Sequence, residues 1–561
     1  MSHDVDGVPG AEPRSRAGID EEYAVQPRGS RGFDPPTTTL QRVGATLLDT
    51  GFFRAIEDPV DRVAPVSARG RGRSRVSFGL IGAVWVWALI ALLAAIATGM
   101  LSAAGAGWPV VAIPVGGVLG LALVLLGIVR FEWFVLLILA VRTSLDATKG
   151  AITHSGGGEA VTSGAAATAM AALFIGVSLV WLATQWWAGR FARLTALDIA
   201  LLLFMIAGIA STFGAVEPTS TLVENARVLA AVLMSLVLHR VIVDDAGVRR
   251  VIITCYIALI TPMTVGLLQA AVGGGSFVTA GLSRVVGTFL HPNTFGFFLS
   301  IFLLMGMALF PHVSGRARWA LALVALPAGV MVMLTYSRGA WVALIAGVVV
   351  VGLVQSAKML FGVLAGFVVV IAAIPSVWGR VANLEQGEQA GGGTGNSLAW
   401  RLQYWRDVVD LNHNNPVTGV GLKGTKELTD AGKAPHNDYL RAWTETGMLG
   451  LVAYLCVLVA LIMIARRSLQ ATDLTIPGRV RDRWSGLRRG VAVGYAGVVT
   501  AYVIDSIGAN LLSQSVVLWY VYALAACATA VIRTSAVANN AADDPTWPLT
   551  GSTRGRRSRT A

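Results

Sequence analysis

The chain has 561 residues, of which 55% are hydrophobic and 14% are charged, and its mean hydropathy is +0.65. A soluble globular domain carries about 25% charged residues, so this composition excludes a soluble protein and predicts that much of the chain contacts lipid. The formal net charge is +12, but the basic residues lie mostly between apolar runs. No nucleic-acid-binding motif accompanies them, so we expect membrane lipids, and no nucleic acid, as their partner.

Two polar segments frame the chain. Residues 1–75 are rich in Gly, Pro, Ser, Arg and acidic residues, and residues 535–561 are similar and end in an arginine-rich sequence. Neither segment carries enough apolar surface to offset the entropy lost on ordering, so both are predicted to be disordered tails. Four arginines between Arg69 and Arg75 precede the first apolar run, which favours a cytoplasmic location for the N-terminal tail.

Between the tails lie apolar runs of about 20 residues, the length that crosses the hydrocarbon core of a bilayer. Runs of this length do not alternate as barrel strands do, so we predict an all-α polytopic membrane protein with about 12–14 transmembrane helices. We place helices 1–11 in residues 76–376, one large loop in residues 377–444 and the last three helices in residues 445–534. The runs lie near residues 78–100, 109–129, 131–147, 165–188, 197–214, 222–242, 249–273, 291–311, 317–335, 338–355, 357–376, 445–465, 490–511 and 515–534.

The charges between the runs predict the orientation of the chain. With the N-terminus inside, nearly all the short basic loops fall on the cytoplasmic side, and the richest of them, residues 466–489, holds seven Arg and two Asp. Both termini are therefore expected in the cytoplasm and the 377–444 loop outside. Because a loop of this length is usually functional or disordered, and because this one holds several aromatic residues, we expect short amphipathic helices in it.

Ionisable residues near the predicted outer ends of the helices indicate where a site could lie. Charged side chains inside a membrane span are costly and tend to face a cavity or a partner. The alternative for each of them is a snorkelling side chain or a structural ion pair. The set consists of Arg142, Asp146, Glu224, Arg227, Arg284, His291, Arg338 and Asp505.

Arg338 lies in a short outer turn, within the sequence Leu-Thr-Tyr-Ser-Arg-Gly-Ala-Trp. Arginine is disfavoured outside by the positive-inside bias, so its presence there needs a compensating interaction. A guanidinium binds phosphate with two hydrogen bonds and stays charged when half-buried, although Arg338 could also anchor a lipid phosphate. A second segment runs from Arg284 to His291, Pro292 and Asn293, where Pro and Asn suit the start of a helix whose free N–H groups favour an anion.

A third segment contains His436, which precedes a predicted helix on the outer face. Histidine is the side chain best suited to exchange a proton near neutral pH. Asp438 could orient it, although residues two positions apart on a helix point in different directions. Upstream, Arg401 and Arg406 are five residues apart. Arginines and a histidine on one face suit phosphate-linked transfer, in which cations hold a pyrophosphate leaving group and the histidine deprotonates a hydroxyl.

The sequence suggests neither a metal site nor a glycine-rich phosphate loop, so we expect no metal, no cofactor and no ATPase activity. The three segments together resemble the O-antigen ligase-related family of bacterial envelope proteins, which includes O-antigen ligases and polymerases. The segments that carry the resemblance are Arg284 to Gly296, Ser337 to Trp341, Arg401 to Trp405, Asn415 to Gly421, His436 to Leu440 and Glu445 to Gly450.

The resemblance implies a metal-independent membrane glycosyltransferase. Members of this family move a glycan from a polyprenyl pyrophosphate, such as undecaprenyl or decaprenyl pyrophosphate, to an acceptor hydroxyl on the outer face of the cytoplasmic membrane, with inversion expected. By analogy His436 would be the general base. The residues that would hold the pyrophosphate are Arg338, Arg284, Arg401 and Arg406. Those in a supporting role would be Asn293, Asp438 and Asp505.

The sequence leaves several alternatives open. It does not separate a ligase from a polymerase, nor a glycan acceptor from a glycolipid or a protein. A transporter or flippase of lipid-linked glycans, or a non-catalytic scaffold of an envelope polysaccharide complex, would share the same apolar runs. A transporter tends to show internal repeats and helices broken at the midplane, which this sequence does not show clearly. A scaffold would not need His436 or Arg338.

Overall fold

A computed structural model describes residues 108–146, 165–273, 277–279, 282–373, 377–378, 398–429, 432–473 and 481–543. Within these ranges the fold is helical, apart from two three-residue antiparallel strands in which Phe277 pairs with Arg284. The helices and strands are α1 (Trp108–Val129), α2 (Phe131–Leu145), α3 (Ala165–Trp187), α4 (Ala196–Ala210), α5 (Pro218–Val241), α6 (Asp245–Ala271), β1 (Phe277–Thr279), β2 (Leu282–Arg284), α7 (Pro292–Leu309), α8 (Gly315–Leu334), α9 (Arg338–Gln355), α10 (Ala357–Ala373), α11 (Leu398–Asp410), α12 (Gly424–Leu428), α13 (Asp438–Ala471), α14 (Ser485–Asp505) and α15 (Ser515–Asp543).

The predicted all-α polytopic membrane fold is confirmed. In the described part of the chain, nine helices are long and apolar enough to cross a membrane, and two shorter apolar helices accompany them. The apolar run predicted at 78–100 and the N-terminal tail lie outside the described residues, as does most of the C-terminal tail. A helix satisfies nearly all of its backbone hydrogen bonds internally, which is the requirement that lipid imposes.

The helices pack by close contact of small residues, because apolar side chains gain little from leaving lipid. A Cβ on Gly347 of α9 would lie 2.9 Å from the carbonyl oxygen of Gly497 on α14, so these two backbones touch. On its other sides α14 packs against α7, α13 and α15, and α15 buries Trp519 and Tyr520 completely or nearly so. The central position of α14 fixes its last residue, Asp505, and the turn that follows it.

Short connections make neighbouring helices run in opposite directions, so the bundle has two ends. At the end that we call the site end, α5, α7, α9 and α13 begin and α4, α6, α8 and α14 finish. At the opposite end, buried ion pairs join the helices, for example Arg488 to Asp245 at 2.6 Å and Arg240 to Asp198 at 3.7 Å. A buried charge requires a partner, so these pairs hold the opposite end together.

Helix α13 begins at Asp438, seven residues before the apolar run that we placed at 445–465. The side-chain oxygen of Asn437 accepts a hydrogen bond from the Leu440 amide and caps the helix, and its first turn carries the charged residues Asp438 and Arg441. A sequence boundary drawn from hydropathy therefore falls inside the helix. Residues 377–444, placed as one loop, contain α11, α12 and this first part of α13.

The sequence Asn415 to Gly421 packs against a break in α13. Gly447 has φ of +64° there, a conformation that glycine adopts without strain. The interrupted helix frees backbone groups, which the neighbouring segment satisfies: the Met448 amide donates to the Pro416 carbonyl at 2.9 Å, and the Gly421 amide donates to the Glu445 carbonyl at 3.0 Å. The two motifs therefore form one local structure, which positions the start of α13.

Candidate active site

Arg284 joins three elements at the site end. It is the last residue of β2 and is 2% exposed. Its Nε donates to the Thr335 carbonyl at 2.7 Å, in the turn between α8 and α9, and its Nη2 donates to Oδ1 of Asn293 at 3.0 Å. Asn293, predicted as a supporting residue, thus orients the guanidinium of Arg284. A charged group this deeply buried is expected to have a structural or a ligand-binding role.

The turn between β2 and α7 is held by a residue that sequence reasoning missed. Oε1 of Gln269, near the end of α6, accepts from the amides of Val286 and Gly287 at 3.0 and 2.9 Å. Gly287 has φ of +58°, which a glycine permits. His291 then caps α7, because its Nδ1 accepts from the Asn293 amide at 3.1 Å. The helix start that Pro292 and Asn293 suggested lies at Pro292.

Arg338 is the first residue of α9 and is half-buried. The tight turn before it places Tyr336 at φ of +47°, and Trp341 secures the turn by donating from Nε1 to the Val332 carbonyl at 2.9 Å. A Cβ on Gly339 would lie 2.9 Å from Oδ1 of Asp505, so the absence of a side chain at this position leaves room for the carboxylate beside the start of α9. Arg338 and the buried Asp505 therefore lie at the same place in the bundle.

His436 lies beside His291 and Asn510. Its ring centre is 5.9 Å from that of His291, and its Nδ1 is 3.2 Å from Nδ2 of Asn510. His436 has φ of +51°; in the described residues the only other non-glycine residues with positive φ are Tyr336 and Lys423. Such strained conformations are most frequent at functional sites, where the surrounding structure enforces them.

Asp438 does not orient His436 directly. Its carboxylate is fully buried and accepts hydrogen bonds from the amides of Leu511 and Leu512 at 3.0 and 3.1 Å, while its own amide donates to the Ser506 carbonyl at 2.8 Å. Asp438 therefore ties the start of α13 to the turn after α14. That turn presents Asn510, which is the side chain that contacts the histidine.

The two candidate arginines of α11 have different surroundings. The buried face of this helix carries Tyr404 and Val408, and half-buried Arg401 shares that face, because residues three or four apart in a helix are neighbours. Nη1 of Arg401 donates to the Gly508 carbonyl at 3.3 Å. Arg406 is exposed. The structure thus brings Arg401, but not Arg406, against the turn that contains Asn510.

Trp405 fixes α11 against the segment before His436. Its indole Nε1 donates to the Pro435 carbonyl at 2.7 Å, and the Tyr404 hydroxyl donates to the Lys433 carbonyl. Both contacts reach the three residues that precede His436. The spacing between the Arg401 guanidinium and the His436 ring is therefore set by packed aromatic side chains.

Electrostatics keeps both histidines neutral. Burial lowers the pKa of His436 to about 4, and Arg401 and Lys433 act in the same direction. Burial lowers the pKa of His291 to about 3, with further contributions from His436, Arg284 and Arg401. Burial and the nearby Arg338 also lower the pKa of Arg401, opposed by Asp505. An arginine nevertheless stays protonated, so the site combines fixed positive charge with imidazoles that can accept a proton.

The other ionisable residues predicted at this end form separate pairs. Arg142 and Asp146 are joined at 2.7 Å, both buried. Arg441 bonds Glu445 at 2.8 Å and lies 3.9 Å from Glu224. Glu224 also pairs with Arg227 at 2.6 Å and borders a small, mainly apolar cavity. In the described ranges, no three His, Cys, Asp or Glu side chains converge as they would around a metal ion.

The comparisons with known proteins agree with this geometry. Residues 320–455 match the family model described as O-antigen ligase. A search among curated proteins finds no match. The matched segment contains the Arg338 turn, Arg401, the segment packed against the break in α13, and His436. Over residues 320–455 the chain is therefore similar to the O-antigen ligase family, and the match covers much of the site that its arginines and histidines form.

Proposed function

We propose that the protein transfers a glycan from a polyprenyl-pyrophosphate carrier to an acceptor hydroxyl in the synthesis of a cell-envelope polysaccharide. The observation that carries the proposal is a set of neighbouring arginines at a neutral His436. Arg401 lies near His436 and near Arg338, and Arg284 lies near His291, whose ring is beside that of His436. The arginines provide fixed donors for a pyrophosphate, and the histidine provides a proton acceptor. The family match supports a role in envelope polysaccharides, and the site geometry supports this particular chemistry.

In the proposed reaction, His436 takes the proton of the acceptor hydroxyl as its oxygen attacks the anomeric carbon of the donor glycan. The bond between that carbon and the pyrophosphate oxygen breaks, and its electron pair stays on the pyrophosphate. The arginines stabilise the charge that develops there, which is expected to supply the largest part of the rate acceleration. Attack opposite the leaving group inverts the anomeric configuration, and His436 afterwards returns its proton to water.

The distribution of basic residues supports an external site. The opposite end of the bundle carries Arg240, Arg249 and Arg250, and also the basic segment around Arg488 and Arg489. The positive-inside rule favours a cytoplasmic location for that end. We therefore place the arginine cluster at the outer face of the bacterial cytoplasmic membrane, with both termini inside, where a carrier with its hydrocarbon chain in the bilayer would present its pyrophosphate.

The proposal is tested in a strain that lacks the gene. Surface glycan and glycan-loaded carrier are measured after complementation with wild type, His436→Ala, Arg338→Ala or the control Arg227→Ala, at matched membrane expression. Arg227 is an exposed arginine at the same end that pairs only with Glu224 among the described residues. We expect the first two variants to leave the carrier loaded and surface glycan absent, and Arg227→Ala to complement. Full complementation by His436→Ala would favour a scaffold or transporter.

A further inference from the structure

Asn510 is the one polar side chain in hydrogen-bond contact with the His436 ring among the contacts resolved in the described residues. It lies in the turn between α14 and α15, where its Nδ2 is 3.2 Å from Nδ1 of His436. The two residues are 74 positions apart in the chain. A side chain that bonds one ring nitrogen of a histidine determines which nitrogen carries the proton. The chemical role of His436 therefore depends on Asn510.

The Asn510 amide can face the ring in two ways. If its nitrogen donates to Nδ1 of His436, the ring proton lies on Nε2, and His436 can donate a hydrogen bond but cannot act as a base through that nitrogen. If its oxygen accepts from Nδ1–H, Nε2 carries the lone pair and can take a proton. With the nitrogen facing the ring, Oδ1 of Asn510 is buried and no group in the described residues donates to it. No such hydrogen bond therefore holds the amide in that orientation.

The backbone around this contact is held from both sides. Asp438, two residues after His436, binds the amides of Leu511 and Leu512, which directly follow Asn510. The Asp438 amide is bonded in turn to the Ser506 carbonyl. The contact is thus enclosed by a clamp of three hydrogen bonds that does not involve the Asn510 side chain. A substitution at position 510 can change the partner of Nδ1 while the clamp keeps the turn in place.

The same clamp supports the left-handed conformation of His436. A non-glycine residue at φ of +51° is held at a cost, and the bonds from Asp438 begin two residues further along the chain. Together with the Trp405 contact to Pro435, they restrain the backbone on each side of the histidine. The ring is therefore held by its backbone, and Asn510 is left to select its protonated nitrogen.

We propose that Asn510 is a positioning residue that accepts a hydrogen bond from Nδ1–H of His436 and so presents the unprotonated Nε2 to the acceptor hydroxyl. The inference rests on the proposed function, because it specifies how the proposed base is prepared. Asn510 acts through His436 and makes no contact with the pyrophosphate. Loss of this hydrogen bond should therefore lower kcat and leave the donor KM nearly unchanged.

The decisive pair of variants is Asn510→Asp and Asn510→Leu, with Asn414→Asp as control. A carboxylate can only accept from the ring, so Asn510→Asp enforces the tautomer that a base requires, whereas leucine enforces neither. Asn414 is exposed in the segment after α11, so Asn414→Asp adds the same charge away from the ring. Purified full-length protein in proteoliposomes receives an envelope extract of the deletion strain, which supplies loaded carrier and acceptor, and conversion to free carrier is followed against pH.

We expect Asn510→Leu to lower kcat by about 10- to 100-fold, the range found when the partner that orients a functional histidine is removed. Asn510→Asp should keep most of the activity and move the acidic limb of the profile upward by about one to two pH units, because a carboxylate stabilises the imidazolium. Asn414→Asp should leave both the rate and the profile unchanged. Inactive Asn510→Asp together with active Asn510→Leu would overturn the inference and make His436 a hydrogen-bond donor.

Two further outcomes separate this inference from the proposed function. If His436→Ala abolishes transfer but both Asn510 variants keep the wild-type rate and pH profile, the inference fails and the proposed function stands. If His436→Ala itself retains transfer, the proposed function fails first. A merely structural role for Asn510 would lower the Tm of both variants and leave the pH profile of the remaining activity unmoved, and that result also overturns the inference.

Discussion

Arg401 and Arg406 offer a matched pair of substitutions within one helix. Both are arginines of α11, and both are implied as pyrophosphate ligands by the family resemblance, yet Arg401 is half-buried beside Arg338 and Asp505 while Arg406 is exposed. We expect Arg401→Ala to weaken binding of the carrier and Arg406→Ala to have little effect. Each variant removes the same charge from the same short helix, so general effects on charge or helix stability cancel in the comparison.

The expected size follows from the contacts of the guanidinium. The side chain of Arg401 donates to the Gly508 carbonyl at 3.3 Å, a bond whose loss costs about 1 kcal/mol of stability. A charge-assisted hydrogen bond to a phosphate contributes about 1.5–3 kcal/mol, which corresponds to about 10- to 150-fold in Kd. An exposed arginine screened by water and salt contributes less than about 1 kcal/mol, which corresponds to less than about fivefold in Kd.

The measurement is the binding of undecaprenyl pyrophosphate, without a glycan, to full-length protein in nanodiscs at two salt concentrations. Wild type and Arg406→Ala should bind with similar affinity, and Arg401→Ala should bind about 10-fold more weakly or worse. Arg401→Lys should recover only part of the loss, because an ammonium cannot form the paired bonds of a guanidinium. If Arg401→Ala and Arg406→Ala lowered the affinity for undecaprenyl pyrophosphate equally, the position of Arg401 beside Arg338 would not explain which arginine binds the pyrophosphate.

Three further tests concern the pH dependence of transfer, the ion pairs of Arg441 with Glu224 and Glu445, and the buried carboxylate of Asp505. Because the pKa of His436 is lowered to about 4, kcat/KM for transfer should stay level from about pH 8 to about pH 5 and fall only below that; an acidic limb near the ordinary value of about 6.5 would contradict the assignment. Arg441→Leu leaves Glu445 buried without its cation and should lower stability by about 3–5 kcal/mol, seen as a lower Tm. Arg227→Leu should cost less than about 1 kcal/mol, because that side chain is 43% exposed and Glu224 keeps Arg441 at 3.9 Å. Equal drops in Tm would argue against the buried network. Asp505→Asn should lower the Tm of the unliganded protein. It should also increase the rise in Tm that undecaprenyl pyrophosphate causes. If that rise were the same as in wild type, Asp505 would not balance the charge of the site.

The sequence was sufficient to predict the helical membrane fold, and it indicated three parts of the site. Length and hydropathy locate membrane helices because lipid imposes both. Arg338 drew attention because an arginine between two apolar runs is costly, and His436 because histidine exchanges a proton near neutral pH and here precedes a predicted helix on the outer face. The sequence could also have predicted that Arg401 is more buried than Arg406, because helical periodicity places Arg401 on the same face as Tyr404 and Val408.

The residues that hold the site in shape could not be predicted in this way. Asn510 contacts a histidine 74 positions earlier, and Gln269 bonds the turn at Gly287 from the end of a different helix. In the sequence each is one polar residue near an apolar run, and nothing local distinguishes it from a residue that faces water. Asp438 was considered as a partner of His436 because of its proximity in the chain, but its carboxylate binds the backbone after Asn510.

The charges of the site are suited to a reaction that separates charge. The arginines of the empty site outnumber its carboxylate, because burial raises the pKa of Asp505 to about 7, and both histidines are neutral, so the site carries an excess of positive charge. A glycan-linked polyprenyl pyrophosphate carries about two negative charges, so its binding offsets that excess. Transfer gives the leaving pyrophosphate a further negative charge and leaves His436 protonated. The imidazolium is disfavoured before the donor binds, because burial and Arg401 lower its pKa, and it is stabilised as the leaving group becomes more negative. The low pKa of His436 in the empty site and its role as a base are therefore compatible, since the charge that makes protonation favourable develops during the reaction.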